Sequence, residues 1–280
     1  MPEKEHPANL INLDHMKKIC IIGGGNLGQA IAEGLVSGDF ISAGNITITR
    51  RNLAQLEVLK TKGVNVSADN SAAIKDADWI ILAVKPFQVA DILKEIGKEI
   101  NVRRQGLISV ITGVSLDDLA AMTGNQLTIF RAMPNTAIAI KESITCLSSN
   151  SDNKEHRDFV QDLFNQLGKS IYIEEQLMDA ATVLGACGTA YAMRYMRANI
   201  QGGIEIGFDA QTAALIAAQT VKGAAELLLS RNTHPEQEID KVTTPKGCTI
   251  AGLNEMEHQG FSSSLIKGIA TSYNKIKKDM

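Results

Sequence analysis

The run Lys17-Lys18-Ile19-Cys20-Ile21-Ile22-Gly23-Gly24-Gly25-Asn26-Leu27-Gly28 constrains the fold most. A short apolar, β-type segment feeds directly into Gly-x-Gly-x-x-Gly, and residues 29–36 continue with small and apolar side chains at helical spacing. Strand, glycines and helix in that order suit a nucleotide pyrophosphate lying on a helix N-terminus, where unpaired N–H groups face the anion. Gly23 is expected to permit the tight turn, Gly25 to let the backbone approach the phosphates, and Gly28 to let helix and strand pack closely.

Downstream, strand and helix patterns alternate. Residues 45–49 alternate like a strand, 53–62 return to helical spacing, 64–67 is a short strand candidate and 71–75 a small helix. Residues 78–84 are almost uniformly apolar, as in a strand buried on both faces, and stop at Lys85-Pro86. Helical periodicity over 88–100 precedes a buried strand at 107–111, and Ser115-Leu116-Asp117-Asp118 has the form of a capping box. Strands are expected at 127–133, 143–147 and 169–173, with an amphipathic helix over 153–167 ended by Gly168. Beyond about Glu174 the chain turns to Ala-, Met- and Leu-rich helices, 177–206 and 211–230, broken at Gly207-Phe208-Asp209. The expected fold class is α/β, with a Rossmann-type dinucleotide-binding domain over 16–174, a helical domain over 175–280 and residues 1–15 as an extension. Ala-rich faces between 210 and 225 suit close helix packing, either in a core within the domain or across a subunit seam.

Composition narrows the partners. With 280 residues, 44% hydrophobic and 21% charged, the chain can bury a sizeable core. A formal net charge of −3 and no Lys/Arg-rich run disfavour a nucleic-acid partner. No uninterrupted apolar stretch approaches the roughly 20 residues that cross a bilayer, and residues 1–15 are polar and mixed in charge, unlike a secretory signal. Cys20, Cys146, Cys187 and Cys248 are scattered without metal-ligand spacing. A reduced, cytoplasmic protein with no metal is expected.

An NAD-selective site carries Asp or Glu at the end of the second strand, to hold the ribose hydroxyls. Here that position reads Thr49-Arg50-Arg51-Asn52. Two guanidiniums favour a ribose 2′-phosphate, hence NADP(H) with NAD(H) still possible, unless they belong to a solvated loop. Lys85 is either near the cofactor or a charged strand terminus, and Asn135 in Met133-Pro134-Asn135-Thr136 either meets the nicotinamide or fixes its own loop. Farther on, Thr244-Pro245 reads as an N-cap with proline at the first helical position, so that Lys246, Gly247, Cys248 and Thr249 would present N–H groups to a carboxylate. A well-capped surface helix has the same spacing. Cys248 is expected to pack as a small residue, and His234 to order its proline-containing loop.

Taken together, the glycine fingerprint, Ala83-Val84-Lys85-Pro86, Met133-Pro134-Asn135-Thr136 and above all His234-Pro235 through Thr243-Thr244-Pro245-Lys246-Gly247-Cys248-Thr249-Ile250-Ala251-Gly252-Leu253 resemble the pyrroline-5-carboxylate reductases, from Lys17 to about Ile276. The resemblance implies a Rossmann domain and an all-helical C-terminal domain through which subunits dimerise or assemble further. It implies substrate contacts at Asn232, Cys248 and Thr249, and cofactor contacts at Ile22, Gly23, Gly24, Gly25, Asn26, Leu27, Asn70, Ala83, Val84, Lys85, Pro86, Val110, Ile111 and Thr112. The chain departs from the family pattern in two places. Leu184 to Tyr191 replaces Ser-Gly-Ser-Gly-Pro-Ala-Tyr, and Pro245-Lys246-Gly247 replaces Pro-Gly-Gly. The expected activity is NADPH-dependent reduction of 1-pyrroline-5-carboxylate to L-proline, with Thr249 as the catalytic hydroxyl. A related imine or β-hydroxyacid reductase and a non-enzymatic NADP(H) sensor remain alternatives.

Overall fold

In the computed structural model the described residues are 16–279, so the expectations for 1–15 lie outside them. The apolar runs become strands, in the order β1 Ile19–Ile22, α1 Asn26–Ser37, β2 Ile46–Thr49, α2 Glu57–Thr61, β3 Asn65–Ser67, α3 Asn70–Ile74, β4 Trp79–Leu82, α4 Val89–Ile96, β5 Gly106–Ser109, α5 Leu116–Thr123, β6 Thr128–Met133, β7 Ser143–Ser149, α6 Lys154–Asn165 and β8 Gly168–Tyr172. They form one eight-stranded sheet in the order β3-β2-β1-β4-β5-β6-β7-β8. The chain leaves β1 toward β2 and returns to β4 on its other side, which makes the carboxyl ends of β1 and β4 the switch point where such folds bind ligands.

Both faces of the sheet are covered, which is why its central strands read as continuous apolar runs rather than alternating ones. Ile21, Ile48, Ile81, Ile108 and Phe130 pack with α1 and α6 through Ile31, Leu35, Phe159 and Leu163. On the other face, Cys20, Ile80, Leu82, Leu107 and Ile129 meet Ile74 of α3, Leu93 of α4 and Leu116 and Leu119 of α5. Burial also pushes the Cys20 thiol up to about 12, so it is neutral at any physiological pH.

Two local expectations change. The pattern of strictly alternating strands and helices fails between β6 and β7, which pair antiparallel, while β8 runs parallel to β7. Only residues 134–142 separate β6 from β7, too few for the dozen or so that a parallel crossover needs. The helix expected over 177–206 is interrupted as well. It divides into α7 Met178–Ala181, a π-helical stretch Thr182–Cys187 and α8 Gly188–Glu205. Inside that stretch the Gly185 carbonyl accepts a hydrogen bond from the Asn135 carboxamide at 3.3 Å, an outside partner of the kind that accompanies such wider turns.

The described chain divides into two compact units, the first continuing past Glu174 to Ala186 and the second running Cys187–Asp279. Near the end of the first unit, Glu175 gathers three elements. Its carboxylate accepts from the Arg131 guanidinium of β6, from the Ser148 hydroxyl of β7 and, at 3.1 Å, from the Leu116 N–H that opens α5. Arg131 is 4% exposed, so this carboxylate is the charge that makes its burial tolerable.

The second unit holds α8, α9 Ala210–Arg231, α10 Pro235–Lys241, α11 Cys248–His258 and α12 Phe261–Asp279. α8 and α9 meet at small residues: a Cβ added at Gly203 would lie 3.1 Å from the Ala213 Cβ. Among its described residues only Ala213 and Ala217 are buried, whereas Ile206, Leu215, Leu229 and Ile266 are at least 61% exposed. The expectation that no uninterrupted apolar stretch reaches membrane length holds in α9, which mixes apolar and polar residues. By length and composition α9 is long and apolar enough to cross a bilayer, although Gln211, Gln219, Lys222 and Glu226 interrupt its apolar residues.

Replacing Glu175 by Ala leaves the buried Arg131 guanidinium uncompensated, and we expect a loss of about 2–3 kcal/mol in urea unfolding of the protein. An unchanged urea midpoint would remove the carboxylate from its assigned place.

Candidate functional site

A cleft of about 830 Å³ opens at the switch point, within the range of small-molecule sites. Its walls are the glycine loop (Ile22 to Leu27), the end of β2 (Thr49 to Asn52, with Gln55), Ala68 and Asn70 after β3, the end of β4 (Ala83 to Pro86, with Gln88 and Ile92) and Val110 to Thr112 after β5. All the cofactor residues expected from the sequence line it except Gly28 and Asn135. Thr49, Asn52, Gln55, Ala68, Gln88 and Ile92 were missed. Asn52 carried a usable signal, since its side chain caps the turn beginning at Leu53, but Ala68 and Ile92 carried none.

The three fingerprint glycines do different work. Gly23 has φ +110°, and a Cβ there would lie 2.3 Å from the Ala83 carbonyl oxygen, so only glycine makes this turn against β4. A Cβ on Gly28 would come 2.1 Å from the Gly23 carbonyl oxygen, which explains the close packing of α1 on the loop and keeps Gly28 out of the cleft. Around Gly25 a Cβ would meet nothing within 4 Å, so its bareness serves no packing need of the protein and leaves room for a ligand.

Gly25 is also the N-cap of α1, with no side-chain cap and no acid in the first turn, so the helix-start N–H groups stay open to an anion. The loop is bolted in place: Thr49 O accepts from Gly24 N–H at 2.7 Å, and Gly24 O accepts from the Gln29 amide at 2.9 Å and from the Arg50 guanidinium. At the end of β2, Thr49 Oγ1 donates to Asn70 Oδ1 at 2.6 Å while Asn70 Nδ2 donates to Glu95 at 3.3 Å, which fixes the carboxamide. Among the described residues no Asp or Glu lines the cleft, whereas Arg50, Arg51 and Lys85 all do. That donor set fits a dinucleotide bearing a 2′-phosphate: the open α1 terminus and bare Gly25 would take the pyrophosphate, and Arg50 and Arg51 the extra phosphate.

Asn135 takes the second of its two open roles. Its Oδ1 accepts from Ala137 N–H at 3.0 Å and its Nδ2 donates to Gly185, so the side chain fixes its loop and is not among those lining the cleft.

In the second unit the loop before α11 departs from its expected form. Thr244 is not an N-cap and Pro245 does not open a helix: Gly247 N–H bonds Thr244 O at 2.9 Å, closing a four-residue turn, and α11 starts at Cys248 with Gly247 as N-cap. Lys246 has φ +60°, as at the third position of a type II turn, which no α-helix accommodates. Gly247 has no open space around it either. A Cβ there would sit 2.5 Å from Thr244 Oγ1, so its bareness serves the turn. Proline at the first helical position occurs instead at His234-Pro235, where His234 Nδ1 accepts from Glu236 N–H at 3.2 Å and orders the loop as expected. Cys248 is exposed rather than packed. Thr249 is half-buried, and among the described residues its hydroxyl, the Lys246 ammonium and the Asn232 carboxamide have no hydrogen-bond or ionic partner.

A doubly wound sheet with a cationic cleft at its switch point, free of carboxylates among the described residues, has the form of a dinucleotide-binding domain, and its likeness to known proteins places it among NADP-dependent oxidoreductases. Pyrroline-5-carboxylate reductase 2 of Dictyostelium discoideum is 40% identical over 283 residues, covering 95% of this chain and 94% of the relative. The chain belongs to the pyrroline-5-carboxylate reductase family. Pyrroline-5-carboxylate reductase 1 of the same organism is 46% identical over 92% of the chain, which spans about half (49%) of that relative's length. The family model for pyrroline-5-carboxylate reductase dimerisation matches residues 175–279, and that for NADP oxidoreductase, coenzyme F420-dependent, matches 18–113. The crystal structure of Plasmodium falciparum pyrroline carboxylate reductase with NADP bound superposes with a TM-score of 0.85 at 26% identity, over 94% of this chain and 98% of that one.

The unequal roles of the glycines make a paired prediction. Gly25→Ala should keep its Tm but raise KM for NADPH about tenfold or more, the equivalent of roughly 1.4 kcal/mol, because only the ligand needs that space. Gly28→Ala should instead lower the Tm by several degrees; equal thermal losses in the two variants would contradict the division. At Lys246, replacement by Gly relieves a left-handed φ that costs about 1 kcal/mol, so Lys246→Gly should raise the Tm by roughly 2–4 °C in a scanning calorimeter, and a fall would contradict the strain.

Proposed function

We infer that the chain reduces 1-pyrroline-5-carboxylate to L-proline with NADPH, the last step of proline synthesis. The observation that carries this reading is the cleft that offers three cations, an open helix terminus and no carboxylate, in a chain of this family. When bound there, NADPH supplies the hydride that the C=N carbon of the imine accepts. The protein's own part is binding, orientation and one polar contact. In the first unit the glycine loop and α1 terminus hold the pyrophosphate, Arg50 and Arg51 select the 2′-phosphate, and the oriented Asn70 with Ala83 to Pro86 and Val110 to Thr112 complete the cofactor walls.

In the second unit the unpartnered groups of the 244–249 loop and Asn232 take the substrate. The N–H groups of Cys248 and Thr249, first in α11, and the Lys246 ammonium suit its carboxylate, while the Asn232 carboxamide offers a donor and an acceptor. The Thr249 hydroxyl hydrogen-bonds the imine nitrogen. A protonated or hydrogen-bonded imine accepts the electron pair best, and water can supply the proton to a nitrogen of this basicity, so no strong side-chain acid is required. Holding the reacting atoms in register then accounts for most of the acceleration.

The proposal includes a homodimer formed through the second unit. Among its described residues that unit buries only two alanines, and large exposed apolar side chains such as Leu215 and Ile266 need a covering surface. A cytoplasmic setting is proposed with it, on the four separate cysteines.

Oxidation of NADPH followed at its absorbance band, dependent on pyrroline-5-carboxylate and matched mole for mole by proline, is the expected result. NADPH binding without imine-dependent oxidation would favour a cofactor sensor instead. Thr249→Ala should lower kcat/KM about tenfold to a hundredfold, the effect of one hydrogen bond to a developing charge, while KM for NADPH stays within about twofold. Unchanged turnover would remove Thr249 from the mechanism.

A further inference from the structure

Asn232 ends α9 in the left-handed conformation, φ +51°, with its N–H bonded to Leu228 O at 3.0 Å. Its carboxamide has no partner among the described residues, so its own side chain does not hold it in place. Both chain neighbours, however, are gripped by one carboxylate six residues on. Glu238 Oε2 accepts from Arg231 Nη1 at 3.1 Å, and Glu238 Oε1 accepts from Thr233 Oγ1 at 2.8 Å and from Lys241 Nζ at 2.6 Å. The Glu238 side chain is 13% exposed, while the Arg231 and Lys241 side chains that reach it are 52% and 53% exposed.

We propose that Glu238 is a positioning residue for the substrate, fixing the Asn232 carboxamide by clamping Arg231 and Thr233 on either side of it. Asparagine takes the left-handed position at a helix end readily, so the backbone sets where the Asn232 carboxamide starts, while contacts to its chain neighbours decide how firmly it is held. Here α10 supplies that hold, through the side chain of its middle residue. Charge matters as well as shape. A lone carboxylate beside the substrate loop would repel an anionic substrate, but Arg231 and Lys241 more than balance Glu238, so the clamp adds rigidity without adding negative potential. Hydrogen bonds from Lys241 and Thr233, with the charges of Lys241 and Arg231 beside them, also hold the Glu238 carboxyl below the ordinary glutamate range.

This inference rests on the reading that Asn232 contacts the substrate, and a double-mutant cycle separates the two. In steady-state assays Glu238→Ala should raise KM for pyrroline-5-carboxylate about tenfold, with kcat and KM for NADPH within about twofold. Glu238→Gln, which keeps one acceptor for Thr233 and Lys241 but cannot accept from both cations as a carboxylate does, should fall between, at about threefold; it carries the comparison should the alanine variant fold poorly. Asn232→Ala should raise the same KM, and adding either Glu238 change to it should produce no further rise, because the clamp acts through Asn232. Calorimetric titration of the cofactor-free protein with L-proline should show the same pattern in Kd. If Asn232→Ala matters but both Glu238 variants leave KM unchanged, or the two effects multiply, the clamp is overturned while the substrate reading stands. If Asn232→Ala alters neither KM nor Kd, both fall.

Discussion

The first unit depends on backbone meeting backbone where no side chain fits. Gly23 lies under the Ala83 carbonyl and Gly28 under the Gly23 carbonyl, at separations of 2.3 and 2.1 Å for any Cβ placed there. Those two contacts set the pitch of α1 against β1 and β4, and so aim the α1 N–H groups into the switch point. The remaining features of the cleft follow from that aim. Thr49 and Gln29 tie the loop to its flanks, and the cations at the end of β2 line the same cleft.

The two units solve different physical problems. In the first, Ile, Leu, Val and Phe side chains are buried on both faces of the sheet, and the buried charge of Arg131 is answered by Glu175, so it has a core of its own. Among its described residues the second unit buries two alanines and exposes a row of leucines and isoleucines. Exposed apolar surface of that extent is what the proposed homodimer would cover. Local devices, the His234 cap, the Glu238 clamp and the turn that holds Lys246 at φ +60°, then shape the loops that the helices present.

Features encoded over a few residues were legible in the sequence. The capping box at Ser115 closes both ways at 3.0 Å because both halves lie within four residues, and the glycine loop likewise carries its own conformational reasons. Features that depend on remote partners were not. The direction of β7 is set by which strand edge is free and how short its connection is, and the π-helical stretch receives a bond from a residue 50 positions earlier. The start of α11 failed for another reason. Proline after threonine serves a helix start and a type II turn equally well, and only the positive φ at Lys246 tells them apart. Glu175 and Glu238 gave no sequence signal, since a carboxylate becomes a hub only when donors from other segments reach it.

The most direct measurement is isotope tracing. NADPH carrying deuterium at the transferable C4 position is incubated with the protein and 1-pyrroline-5-carboxylate, and the proline formed is analysed by mass spectrometry and NMR. Direct transfer predicts one deuterium in each proline, at the carbon that was doubly bonded to nitrogen, with none lost to water. Unlabelled proline, label released into solvent, or oxidised cofactor without proline would contradict the account.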